Sequence, residues 1–121
     1  MSTLKVNTIQ NTSGGSSSTP EEIANGRAKV WIRYNNSANS IQASFGVSSI
    51  TDQGTGLTDI NFSSSFSDTN YAFAGMCSND NNMLAIATDY ANPTVSKVSI
   101  RSTDAGNSFQ DSTNIGLVIF R

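Results

Sequence analysis

The chain has 121 residues, 36% hydrophobic and 13% charged, with nine acids against seven bases and a formal charge of −2. That length fits one domain with at most an appendage, and the scattered charges leave no basic patch to hold nucleic acid. No histidine and a single cysteine exclude a histidine-based triad and an internal disulfide.

Residues 1–19 form a separate zone. Leu4, Val6 and Ile9 make a short apolar stripe, and NTSGGSSST after it reads as a flexible linker. An isolated strand this short does not stand alone, so the stripe is expected to dock on another protein. The opening MSTLKVNTIQ lacks the apolar core of a signal peptide. No run approaches the roughly 18 apolar residues of a membrane span. The expectation is therefore synthesis in a reducing cytoplasm and no membrane insertion. Residues 20–26 then read as a short helical hinge. Thr19 is placed to cap it, Pro20 takes the first helical position, Glu22 completes a capping box, and Asn25-Gly26 ends it.

From residue 28 to 121 the pattern changes to short alternating segments broken about every eight to twelve positions by Asn, Gly, Ser and Asp. Strands are expected at Ala28–Tyr34, Ser40–Phe45, Val47–Thr51, Leu57–Phe62, Tyr71–Cys77, Met83–Thr88, Val95–Arg101 and Asn114–Phe120. In the first, Val30, Ile32 and Tyr34 share one face, and Lys29, Trp31 and Arg33 the other. In the second, Ile41, Ala43 and Phe45 stand in register. The fold class is all-β: a small antiparallel sandwich or open barrel of seven to eight strands, with an extended N-terminal arm and one short helix. Ser, Thr and Asn supply 20, 12 and 14 residues, which suits turns and wet strand faces. The apolar core they leave is thin for a monomer, and oligomerisation is the remaining staple.

Candidate chemistry is sparse. Cys77, without a histidine, reads as a small buried hydrophobe. Asp52, Asp59, Asp68 and Asp89 read as turn formers rather than paired catalytic carboxylates. Asn79-Asp80-Asn81-Asn82 resembles a calcium loop only in composition, because it offers one acid. The sequons at Asn11, Asn35 and Asn61 follow from the abundance of Asn and Ser. No catalytic, cofactor-binding or metal-binding residue is assigned, and the chain is not expected to be an enzyme. Trp31, between Lys29 and Arg33 on the polar side of its strand, is a candidate subunit contact or glycan-stacking platform, with Arg33 and Tyr34 beside it. Tyr34, Tyr71 and Tyr90 also fit half-buried strand positions.

The stretch AKVWIRYNNSANSIQASFGVSSITDQGTGLTDINFSSSFSDTNYAFAG resembles a module at the C-terminal ends of bacteriophage tail-fibre proteins, particularly marine and cyanobacterial ones. Trp31, Ser44-Phe45, Val47-Ser48-Ser49-Ile50-Thr51-Asp52, Gly54-Thr55-Gly56, Phe62 and Asn70-Tyr71-Ala72 carry the likeness. The opening STLKVNTIQNTSG is similar to the start of many such fibres, and together the two stretches cover about two thirds of the chain. Residues 76–121 match only in general β character. The resemblance implies a virion structural protein, a homotrimer meeting the host surface, and the arm of residues 1–19 is expected to dock on another virion protein (tail, collar or capsid). It makes host-surface polysaccharide a candidate ligand. Family members are often longer, with a shaft between the two motifs. A short tail fibre or spike, a capsid decoration or head fibre without a receptor role, and a lectin-like tip are therefore all compatible with this chain.

Overall fold

The N-terminal segment is not a plain extended arm with a flexible linker. In the computed structural model, which describes residues 1–79, 82–88 and 93–121, strands β1 (Ile9–Gln10) and β2 (Ser17–Ser18) pair antiparallel. The Asn11 side chain closes the loop between them. Its Oδ1 accepts from Gly15 N at 2.8 Å and from Ser13 Oγ at 3.1 Å. A carboxamide bonding its own backbone in this way makes a hairpin of sequence whose composition signals a linker.

Helix α1 (Pro20–Gly26) forms as its signals dictate. Glu22 N donates to Thr19 Oγ1 at 3.1 Å, and Thr19 N donates to Glu22 Oε2 at 2.7 Å. No residue of α1 is buried, so its cap rather than packing holds it.

Eight strands follow: β3 (Ala28–Asn35), β4 (Ser40–Phe45), β5 (Val47–Gly54), β6 (Leu57–Phe62), β7 (Ala72–Asn79), β8 (Asn82–Thr88), β9 (Lys97–Thr103) and β10 (Asn114–Phe120). Their order is β4-β3-β10-β7-β8-β9-β6-β5, with every neighbouring pair antiparallel. Strand β8 is the corner. Its first residues pair with β7 (Cys77 opposite Leu84) and its last with β9 (Thr88 opposite Ile100). Two layers result, β4-β3-β10-β7 and β9-β6-β5.

One core joins the layers. Val30, Ile32 and Tyr34 of β3, Cys77 of β7, and Ile115, Leu117 and Ile119 of β10 pack in one cluster with Ile60 and Phe62 of β6 and Val98 and Ile100 of β9. The molecule is a small all-β sandwich, the class its alternation predicts. Phe62, Phe66 and Tyr71 close one end, with ring centroids 5.0 to 5.8 Å apart. Tyr71 Oη reaches the carbonyls of Thr94 and Lys97 at 3.2 Å.

Three local expectations change. The strand expected at Val95–Arg101 begins at Lys97 and runs to Thr103. Thr94 Oγ1 accepts from the backbone N–H groups of Ser96 and Lys97, which bends the chain before the ladder starts and leaves Val95 exposed. The even phase of Ile41, Ala43 and Phe45 is broken. Ala43 faces Arg33 but Ile41 faces Tyr34, so β4 carries one extra residue, Gln42, as a bulge. Strand β5 extends past Thr51 to Gly54.

The opposite end of the sandwich is pinned by polar groups. Asp111 Oδ1 accepts from Gly56 N at 2.7 Å and Asn36 Nδ2 at 2.9 Å, and Asn36 Oδ1 accepts from Thr58 Oγ1 at 2.6 Å. Asn36 and Thr58 are both buried, so these bonds satisfy groups that water does not reach.

Candidate functional site

The outer face of β3, β10 and β7 is built in rungs. Phe45 lies opposite Trp31, Trp31 opposite Val118, and Val118 opposite Ala74. The next rung runs Ala43, Arg33, Gly116, Met76. Phe120 lies opposite Ala72 beyond them. Cross-strand partners share a face, so the outward positions that composition paints as polar form a largely apolar surface. Phe45 is 57% exposed, Met76 79%, Trp31 41% and Phe120 36%. Gly116, with open space where a Cβ would stand, leaves a trough of about 420 Å³ lined by Ala74, Met76, Val118 and Ile32. Arg33 stands at its edge, with Nη2 donating to Asn114 Oδ1 at 3.2 Å.

The face includes Trp31 and Arg33 and excludes Tyr34. The expectation that Tyr34 joins a surface platform is corrected by its full burial. Strand parity turns it inward with Val30 and Ile32. Burial drives the pKa of its hydroxyl above the usual phenol range.

The arm residues come together as a second surface. Leu4, Val6 and Ile9 line a hollow of about 530 Å³ with Lys5, Asn7, Pro20 and Ile23. Leu4 is 83% exposed and Ile9 55%. Helix α1 thus adds its one large apolar side chain to the stripe.

A cleft of about 390 Å³ lies at the aromatic end of the sandwich. Lys29, Phe45, Gly46, the Ser63–Ser67 loop and Arg121 line it. Arg121 makes a two-pronged pair with Asp68, Nε to Oδ1 at 2.9 Å and Nη2 to Oδ2. The guanidinium holds the Asp68 carboxyl below the usual carboxylate range. Asp68 Oδ1 also accepts from Asn70 N, the turn role expected of it. Lys29 Nζ donates to Ala24 O at 2.7 Å, tying the helix to the body.

Asp59 departs from the turn reading. It sits mid-strand with its side chain 5% exposed, and its carboxylate accepts from Lys97 Nζ at 2.6 Å, Gln53 Nε2 at 3.0 Å and Ser99 Oγ. Burial pushes its pKa up, and these donors outweigh burial and bring it below the usual value. The ionised form is therefore favoured in the fold. It contributes stability above the unfolded value of about 3.9 that is lost as pH falls through the folded value. Asp59→Asn is expected to lose about 1–2 kcal/mol at neutral pH and less near pH 3, below the unfolded value. Urea unfolding of both proteins at the two pH values measures this.

Asp89 and Tyr90 lie outside the described residues, as does the centre of the Asn79–Asn82 segment read as a calcium-like loop. Among the described residues no three His, Cys, Asp or Glu side chains converge. Cys77 is buried in the core, and burial raises its thiol pKa.

The geometry defines a small all-β sandwich with an apolar outer face and a separate N-terminal hairpin and helix. No protein-family model, curated protein or solved structure matches the chain.

Proposed function

We propose that this chain is a bacteriophage virion appendage, a short tail-fibre or spike subunit that docks by residues 1–19 and displays its sandwich as a homotrimeric knob towards the host surface. The observation that carries the reading is the uncovered apolar side of the sandwich. Every residue of β4 is exposed, and Phe45, Trp31 and Val118 form one continuous rung. Contiguous exposed apolar surface of this kind marks an interaction site. The tail-fibre-like motifs run through the same strands, and the hollow formed by Leu4, Val6, Ile9 and Ile23 gives the arm a docking surface of its own.

A lectin-like tip is the second reading. The cleft of serine hydroxyls beside Phe45, Lys29 and Arg121 favours it, because an aromatic edge, hydroxyls and cations are what a sugar surface engages.

Sedimentation of the purified chain is expected to give the mass of three copies, and Trp31→Ala is expected to weaken that assembly about tenfold or more with unchanged circular dichroism. Electron cryomicroscopy of phage particles carrying the chain is expected to show it on the tail or its fibres. A chain that stays monomeric at all concentrations, or is missing from particles, overturns the reading. Glycan binding lost in Trp31→Ala with the oligomer intact moves Trp31 from subunit contact to platform.

A further inference from the structure

We infer that the copies are joined edge to edge: β4 of one chain adds antiparallel to β5 of the next around a three-fold axis running along the strands. The inference rests on the trimeric reading above and assigns its seam.

Strands β4 and β5 are the two ends of the eight-strand order, and among the described residues neither has a second strand neighbour. The ends of an order in which every neighbour is antiparallel run in opposite directions when the number of strands is even. Rotation about an axis parallel to the strands preserves direction. Such an axis therefore brings β4 beside a neighbour's β5 already antiparallel, whereas β4 beside a neighbour's β4 would be parallel.

The same two strands leave the sandwich on one side. A single residue, Gly46, joins them at φ +73°, and a Cβ there would stand 2.7 Å from Lys29 O. This close approach pins the joint against the start of β3. Beyond Gly46 the two strands share no ladder. Each copy thus presents an open side with one edge from each layer. A closed ring has no rise along its axis, so the Phe45 end of β4 meets the Val47 end of the neighbour's β5.

The chemistry of these edges fits pairing. Natural sheets guard free edges with lysine, proline, bulges or covering elements. Along β4 and β5 the only charged residue is Asp52, and neither strand contains proline. Bulges guard both strands, at Gln42 on β4 and at Ser48 and Gln53 on β5, yet Ala43 to Phe45 pair regularly with β3 and Ser49 to Asp52 with β6. Ile41 and Phe45 are 38% and 57% exposed, and Val47 and Ile50 are half-buried on β5. A head-to-tail ring would cover these side chains and leave no free edge.

Hydrogen exchange on the full-length protein tests the seam. The expected result is a three-chain mass with slow exchange in both β4 and β5, each speeding up when the assembly dissociates. Ala43→Lys, at an exposed position, is expected to weaken the assembly about tenfold or more while circular dichroism stays unchanged. A three-chain assembly whose β4 and β5 amides exchange as fast as in the monomer, or that Ala43→Lys leaves intact, overturns the seam and spares the trimer. A two-chain species, or a single chain at every concentration, overturns both.

Discussion

Replacing Gly56 with alanine is expected to destabilise the sandwich by about 3–4 kcal/mol, a large share of the 5–15 kcal/mol typical of a domain. Two independent effects meet at this residue. Its φ of +69° lies in the left-handed region, where an added Cβ costs roughly 1–2 kcal/mol. The Cβ would also stand 2.6 Å from Ser102 O and 2.8 Å from Gln110 N, backbone atoms with little freedom to retreat. Gly56 O accepts from Ser102 N at 2.8 Å, and Ser102 O accepts from Gln110 N at 3.0 Å, so a shift at one point strains the next. Gly54 supplies the control. Its φ is +119° with nothing within 4 Å of the Cβ position, so Gly54→Ala meets backbone strain without the collision. Urea midpoints at fixed protein concentration should show Gly56→Ala as the costlier change. Equal midpoints would mean that the close approach decides nothing.

The second large effect is expected at Asp111. One carboxylate oxygen holds the Gly56 backbone and the Asn36 side chain, and Asn36 passes the connection to Thr58. Asp111→Ala strands two donors at once, Gly56 N–H and Asn36 Nδ2, in a setting where Gly56, Asn36 and Thr58 are all buried. An unsatisfied buried donor costs about 1–3 kcal/mol, so a loss of about 3 kcal/mol is expected. Asp111→Asn keeps an acceptor oxygen and should retain most of the stability. The double variant with Gly56→Ala should fall short of additivity, because both changes loosen the same corner. Full additivity in urea unfolding would show that the two residues act separately.

Alternation made the strands legible and left their arrangement hidden. The pattern of β3 separates Val30, Ile32 and Tyr34 from Trp31 and Arg33, and burial follows that division. The same parity already assigned Tyr34 to the core, so placing it beside Trp31 went against the signal that was there. The capping box at Thr19 and Glu22 was readable because its donors and acceptors lie within four residues. Asn11 was not. A side chain that closes a hairpin has the same sequence context as one in a linker. Strand β4 shows the other limit: Ile41, Ala43 and Phe45 alternate like a covered strand, yet the whole strand is exposed. Periodicity fixes which side chains share a face and says nothing about what lies opposite. Asp59 and Asp111 were obscured for a related reason, since their partners Ser99 and Asn36 stand 40 and 75 residues away.

Strand β3 follows directly on α1 and lies inside the sheet, between β4 and β10. A pull transmitted through the arm therefore reaches the sandwich along the length of β3. Antiparallel ladder bonds lie perpendicular to their strands, so the bonds on both flanks of β3 bear such a load together. Entry at a strand free on one side would let the bonds be peeled off singly. Entry of the chain through β3 thus sets its ladder bonds in shear under axial tension, with no side chain added for the purpose.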